Sequence, residues 1–443
     1  MELKFLQSIS IAFLAASNIA QAADLLETYH AAQTGDPVFA AARATQQAGQ
    51  EKLAQGRALL MPSINLNANT TFNDQTTNYQ AGSPFSAANG NKRYNSNGYG
   101  VNLTQPLFRA QNWLAYTETQ LQVAQADAQF KAAEQDLVLR VAQNYFDVLI
   151  AQDSVQLVEA QKTAITEQMA QAKRNFEVGT ATITDTLEAQ SRLDLVAAQE
   201  VAAKNNLDVK RSSLQQLTNS VSNDLRPLGA GFKLEAPKPA NIEQWVDNAL
   251  IANPQITIAQ VSAGLAEKEV SRNQAAHLPT LDLVANYAKN SASGGSFGSN
   301  DNTNKSVGVQ LNVPLFQGGA VSSKSREALA NQERSKQDLE NARRSVTTQT
   351  RQAYLGVVSG MAQVQALQQA LASSQSLLDA SKLGQEVGIR TNLDVLNAQQ
   401  QLYSTRRDLY QAQYNYLLSQ LRLKAAVGGL GEPEVNQVNL ALH

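Results

Sequence analysis

The chain has 443 residues, room for more than one domain, and a net charge of −2, which leaves no electrostatic footprint for nucleic acid. Charged residues make up only 17%, against about 25% in ordinary soluble proteins, and Gln, Ala, Asn, Ser and Thr fill the difference. There is no cysteine, which excludes disulfides, thiolate metal sites, a cysteine nucleophile and an N-terminal lipid-modified cysteine; His30, His277 and His443 are too scattered to form a metal cluster.

Residues 1–22 read as a secretory signal peptide. Lys4 supplies a weak n-region, "FLQSISIAFLAAS" an apolar stretch, and Ala20-Gln21-Ala22 a small-x-small cleavage site. An ordinary N-terminal helix is the alternative; cleavage would make Ala23 the mature N-terminus. Beyond this segment no run of about 18 apolar residues exists, so no transmembrane helix is expected.

Residues 37–60 are rich in Ala and Gln and helical in pattern, and Pro62 ends that helix because the residue before a proline avoids the helical region. "SINLNANTTF" then alternates: Ile64, Leu66, Ala68, Thr70 and Phe72 against Asn65, Asn67, Asn69 and Thr71. That period of two marks a strand with one apolar and one polar face. A Gly/Asn/Ser-rich loop is expected over 73–93, then a second strand with Tyr99, Val101 and Leu103 on one face, closed by Pro106. A long helix follows from about 109 to 177, roughly 100 Å at 1.5 Å per residue. Gly179 ends it, and a shorter helix spans 183–217.

The whole plan then repeats. A Pro/Gly-rich linker, 226–241, separates a first repeat (23–225) from a second (242–428), leaving a tail, 429–443. "FEVGTATITDTLEAQ" (176–190) and "QEVGIRTNLDVLNAQ" (385–399) are identical at eight of fifteen positions, at an offset of 209. "LTQPLFRA" (103–110) matches "LNVPLFQG" (311–318) at offset 208, and "LLMPSINLNANTTF" (59–72) matches "AHLPTLDLVANYAK" (276–289) at 217. The second copy predicts strands through Leu281–Tyr287 and Val307–Val313, closed by Pro314, then helices over 319–386 and 392–427. The four alternating segments carry one charge, Asp282, on the polar face.

Strands of about ten residues with alternating faces suit a membrane barrel. Four strands cannot close one, and an open edge in lipid costs several kcal/mol per orphan backbone group, so several chains must share a barrel. Two chains give eight strands and three give twelve; the alternation does not choose. "GGSFG" (294–298) fits G-x-S-x-G literally, but it lies between two strands, where no nucleophile elbow forms.

The duplication, the "PLF" segments leaving each second strand, and the "VGT…D" and "VGIRT…D" turns resemble the outer-membrane efflux protein (TolC) family over nearly all of the mature chain. The resemblance implies a mainly α fold with membrane β: an internally duplicated homotrimer whose shared 12-stranded β-barrel sits in the outer membrane of a Gram-negative bacterium. Below it, long helical hairpins form an α-barrel tunnel through the periplasm. It implies an exit duct for small molecules or secreted proteins in a tripartite efflux or type I secretion system. The partners would be a periplasmic adaptor (membrane fusion) protein and an inner-membrane transporter; no enzyme activity, cofactor or metal is implied. The alternative is a non-conducting periplasmic coiled-coil scaffold, which the alternating strands disfavour.

On this resemblance the two Gly-centred turns are the tunnel's mouth, with Val178, Gly179, Thr180, Val387, Gly388 and Ile389 as tip residues for adaptor contact. Asp394 resembles the residue of a threefold carboxylate ring, while Asn397 stands where the family's best-known member has a second Asp. Arg390 resembles the residue that latches the inner hairpin to Thr184 and Asp185, and Gln385 stands in place of a gating Tyr. A ring of like charges would raise at least one carboxylate pKa and favour cations. By spacing alone, Asp185 and Asp394 fit helix capping equally well.

Overall fold

The computed structural model describes residues 23–86, 89–220, 224–229, 232–295 and 298–442; the expected signal peptide lies outside them. The elements, in order, are α1 (Leu25–Gly35), α2 (Pro37–Ala58), β1 (Ser63–Thr77), β2 (Gly90–Phe108), α3 (Ala110–Glu177), α4 (Ile183–Thr218), α5 (Ile242–Ala252), α6 (Pro254–Gln274), β3 (Thr280–Ala292), β4 (Asn300–Asn312), α7 (Ala320–Glu386), α8 (Asn392–Ala426) and α9 (Glu432–Asn439). The long helices have 68 and 67 residues, and all four predicted boundaries of α3 and α7 fall within a residue of those observed. Each of two compact units draws on both repeats.

One unit holds residues 41–133 and 243–350 and contains the sheet. Its order is β1-β2-β3-β4, antiparallel throughout. The register puts Ile64, Leu103, Ala285 and Val307 in one row across all four strands, so the separate alternations merge into one apolar face. The opposite parity aligns Asn65, Asn102, Asn286 and Ser306, and Asn286 bonds Asn102 across the β2–β3 joint. Leu66, Val309 and Leu311 are exposed on the apolar face.

Three strand expectations need correction. The 73–93 stretch is not all loop: β1 runs to Thr77 and β2 starts at Gly90, because Asn, Thr and Gln pair as readily through their backbones as apolar residues do. Pro106 does not close β2; the strand continues to Phe108 through a register shift, and a bulge is where a residue without an N–H is tolerated. The longer strands also carry charges besides Asp282, namely Asp74, Lys92, Arg93, Lys289, Asp301 and Lys305. Asp282 itself is buried, and Arg109 grips it with two bonds of 2.8 and 2.6 Å.

The other unit holds residues 23–40, 134–242 and 351–442. Its core is aromatic: Tyr145 meets Phe146 edge-on at 6.0 Å between centroids, and Phe146 stacks on Tyr414 at 5.8 Å. The Tyr145 hydroxyl reaches the carbonyls of Ala23 and Arg226 at 3.1 and 3.0 Å, tying the expected mature N-terminus to the linker. Tyr414 donates to the Asp153 carboxylate at 2.9 Å, and burial pushes Asp153 above the ordinary carboxylate value. Asp36 caps α2 by accepting from Val38 and Phe39, and it pairs with Arg140 at 2.8 Å. Burial pushes the Asp36 pKa up, but the Arg140 bond and the two amides outweigh it and hold the carboxyl below its usual value. The tail forms a helix, α9, that alternation did not reveal; its Asn439 bonds Asp24 and the Leu25 amide.

Candidate functional site at the helical hairpin tips

Both tips are built by the same local chemistry. Gly179 and Gly388 sit at φ +79° and +78°, the left-handed region that glycine enters without a Cβ clash. Each ends a long helix, and the amides that follow fold back onto it. Thr180 N–H donates to the Asn175 carbonyl at 2.8 Å, and Ile389 N–H to that of Gly384 at 2.9 Å.

The next helix starts three residues later with a reciprocal cap. Thr182 Oγ1 accepts from the Asp185 amide while the Asp185 carboxylate accepts from the Thr182 amide at 2.8 Å. Thr391 and Asp394 repeat this, with the carboxylate 2.9 Å from the Thr391 amide. This is the capping box, in which two orphan N–H groups are satisfied at once. The Gly-to-Asp spacing of the repeated motif is therefore the length of one turn plus one cap. Thr182 and Thr391 are one of the eight identities between the two copies, and T-x-x-D before a helical run signals their capping role.

The capping role open for Asp185 and Asp394 is present at both. The pKa direction expected of a carboxylate ring is opposite to what the chain's own groups impose on Asp394. Bonds from the Thr391 amide and hydroxyl, with Arg390 nearby, favour the ionised form and hold it below the usual value.

The latch residues are not brought together as expected. Arg390 pairs with Asp394, one turn along its own chain, at 3.7 Å, rather than with Thr184 or Asp185. The α7 terminus leaves room for this: a Cβ on Gly384 would meet Arg390 Cγ at 2.7 Å. Gln385 donates to Asn392 at 3.4 Å, Thr184 is exposed, and Asp185 bonds Thr182. Val178, Gly179, Thr180, Val387, Gly388 and Ile389 are all exposed.

A residue outside the motif links the hairpins. Arg192 of α4 donates to Gln400 at 2.7 Å and to Asn397 at 3.1 Å, both on α8. Beneath this bridge Ile165 of α3, Val196 of α4 and Leu396 of α8 form one buried cluster. Arg192 had a faint sequence signal, since at offset 209 the second copy carries Gln401, a charge present in one hairpin and missing from the other.

A family model described as "Outer membrane efflux protein" matches residues 28–220 and 245–429. The outer membrane protein TolC of Escherichia coli is 33% identical over 437 residues, covering 96% of this chain and 86% of that protein. The alkaline protease secretion protein AprF of Pseudomonas aeruginosa is 34% identical over 418 residues, covering 94% and 86%. Among solved structures, the CmeC outer membrane channel of Campylobacter jejuni superposes with a TM-score of 0.77 at 17% identity, covering 95% of this chain and 90% of that one, a likeness of fold.

Proposed function

This chain belongs to the outer-membrane efflux protein family, and on that premise we propose that three copies pool their strands into one twelve-stranded barrel and work with a periplasmic adaptor and an inner-membrane transporter. It is an outer-membrane channel that extends into the periplasm, an exit duct for export, in a family of channels rather than enzymes. The name of the Pseudomonas relative supports a secreted protein as one cargo class beside small molecules.

The observation that carries the reading is the sheet. One face is a continuous apolar row, the other is lined with Asn, and β1 and β4 are its two edges. Among the described residues no helix is long and apolar enough to cross a membrane.

The exposed tips are the contact points for the adaptor in this reading. Arg390 is the latch: its pair with Asp394 is long and solvent-exposed, hence weak, and the side chain is free to exchange it for Thr184 and Asp185 as the mouth closes. Gln385 backs that contact, and three Asp394 carboxylates form the ring. Asn397, held by Arg192, leaves the ring one acidic tier deep.

Arg placed at Leu66 or Val309 would face lipid at roughly 2–4 kcal/mol near the midplane, while Arg at Asn67 or Gln310 would face the lumen and be mild. The yield of folded trimer in outer membranes measures this, and equal losses on both faces would refute the barrel. Single-channel currents test the mouth: Arg390→Ala raises resting conductance, and Asp394→Asn abolishes most of the block by multivalent cations.

A further inference from the structure

The duplication makes the β2–β3 joint a template for a joint no single chain contains. β2 and β3 come from different repeats, yet they pair along twelve positions, from Ser96↔Ala292 to Phe108↔Leu281. β2 maps onto β4 at offset 208 and β3 onto β1 at offset 217. From this we infer that β4 of one copy pairs with β1 of the next in the transposed register, with Leu311 opposite Ala68, Val309 opposite Thr70 and Phe316 opposite Ile64. The inference rests on the proposed shared barrel and deepens it by naming the register and its lock.

Three features of the chain support it. First, the transposed joint keeps both faces: Leu311, Val309 and Val307 meet Ala68, Thr70 and Phe72, all of the apolar parity. A slip of one residue would turn every side chain to the wrong face. Second, the transposed register sets Lys305 opposite Asp74, so opposite charges meet across the new joint.

The third observation is the sharpest. In the template, Arg109 leaves β2 and grips Asp282 of β3 with two bonds. Transposed, Arg109 becomes Gln317 and Asp282 becomes Asn65. Both members of the pair change together, from guanidinium and carboxylate to two amides. Changing the arginine alone would leave a buried carboxylate unpaired, and changing the carboxylate alone would leave a half-exposed guanidinium without its partner; changed together, the pair remains able to exchange hydrogen bonds. The Gln317–Asn65 contact is thus the lock between copies where Arg109–Asp282 is the lock between repeats. The exit segment fits as well: Phe316 is 87% exposed in the single chain, whereas its counterpart Phe108, paired in the ladder with Leu281, is 46% exposed.

The absence of cysteine permits a direct test. Successive antiparallel pairs alternate between wide and close, so of the doubles Gln310→Cys/Asn69→Cys and Leu311→Cys/Ala68→Cys, one offers the closer geometry for a disulfide. Oxidised outer membranes should give covalently linked dimers and trimers with that pair and none with the slipped pair Leu311→Cys/Thr70→Cys. In parallel, Asn65→Asp should lower the temperature at which the trimer dissociates, and Asn65→Asp/Gln317→Arg should restore it. Preferential linkage of the slipped pair, or a native-mass trimer that neither matched pair links, overturns the register. Additive losses in the Asn65/Gln317 double overturn the lock. A monomer by native mass overturns the proposed trimer itself, a distinguishable result.

Discussion

Leu187 and Leu396 are the same residue of the same repeated motif, yet Leu187 is 61% exposed and Leu396 is 3% exposed. The two tips share a backbone and differ in surroundings. Glycine, threonine and aspartate recur because the turn and cap need them whatever lies outside. The positions that do not recur place the hairpins: Val395 is buried where the first copy has Thr186, and Arg390 stands where it has Ala181. Repeated letters therefore encode local geometry, and unmatched letters encode environment.

Core truncation gives the largest contrast. Leu396→Ala removes a side chain from the cluster with Ile165 and Val196 and should cost about 2–5 kcal/mol, while Leu187→Ala should stay within about 0.5 kcal/mol. Denaturant melts of the two variants measure this, and equal losses would remove the distinction between the tips.

Glycine substitution should erase the contrast. Gly179→Ala and Gly388→Ala each force a Cβ into the left-handed region, at about 1–2 kcal/mol apiece, because neither position meets a neighbouring atom that could add to the strain. A twofold difference between them in the same melts would show that a tip's surroundings reach its backbone. Cap removal comes next: Thr182→Ala and Thr391→Ala should each cost about 1 kcal/mol, seen as faster amide exchange in the first turns of α4 and α8.

The smallest effect is a pH dependence at the second tip. Asp394 has a folded pKa below its ordinary value, so the stability it adds is complete above that ordinary value and is lost as pH falls through the folded one. Asp153 runs the other way: its folded pKa is raised, so its contribution weakens as pH climbs from the ordinary carboxylate range through the raised value. Thermal melts of Asp394→Asn and Asp153→Asn against pH separate the two. Asp394→Asn should flatten the acid limb only, and a change of the opposite sign would contradict the capping-box account.

Much of this was legible because it rests on short-range rules. The ends of α3 and α7 were readable from glycine and proline, and the strand faces from a period of two that the register then merged into one row. Pro106 misled because a proline stops a regular strand but not one that itself bulges just beyond the proline, as β2 does between Pro106 and Phe108. α9 stayed hidden because eight residues carry too little periodicity to stand out, and its support comes from Asn439 reaching Asp24 more than four hundred residues away.

The letters of this chain alone determined that it is one plan written twice, that each plan carries two strands with a wet and a dry face, and that a glycine ends each long helix. Those properties depend on neighbours within a few positions, or on comparing the chain with itself. Only the tertiary structure decided that Arg192 bridges to Asn397 and Gln400 and that Arg109 locks Asp282. Ion pairs and side-chain bridges form between whichever groups packing brings within about 4 Å, and a long flexible arginine leaves no mark in the sequence of which carboxylate or amide that will be.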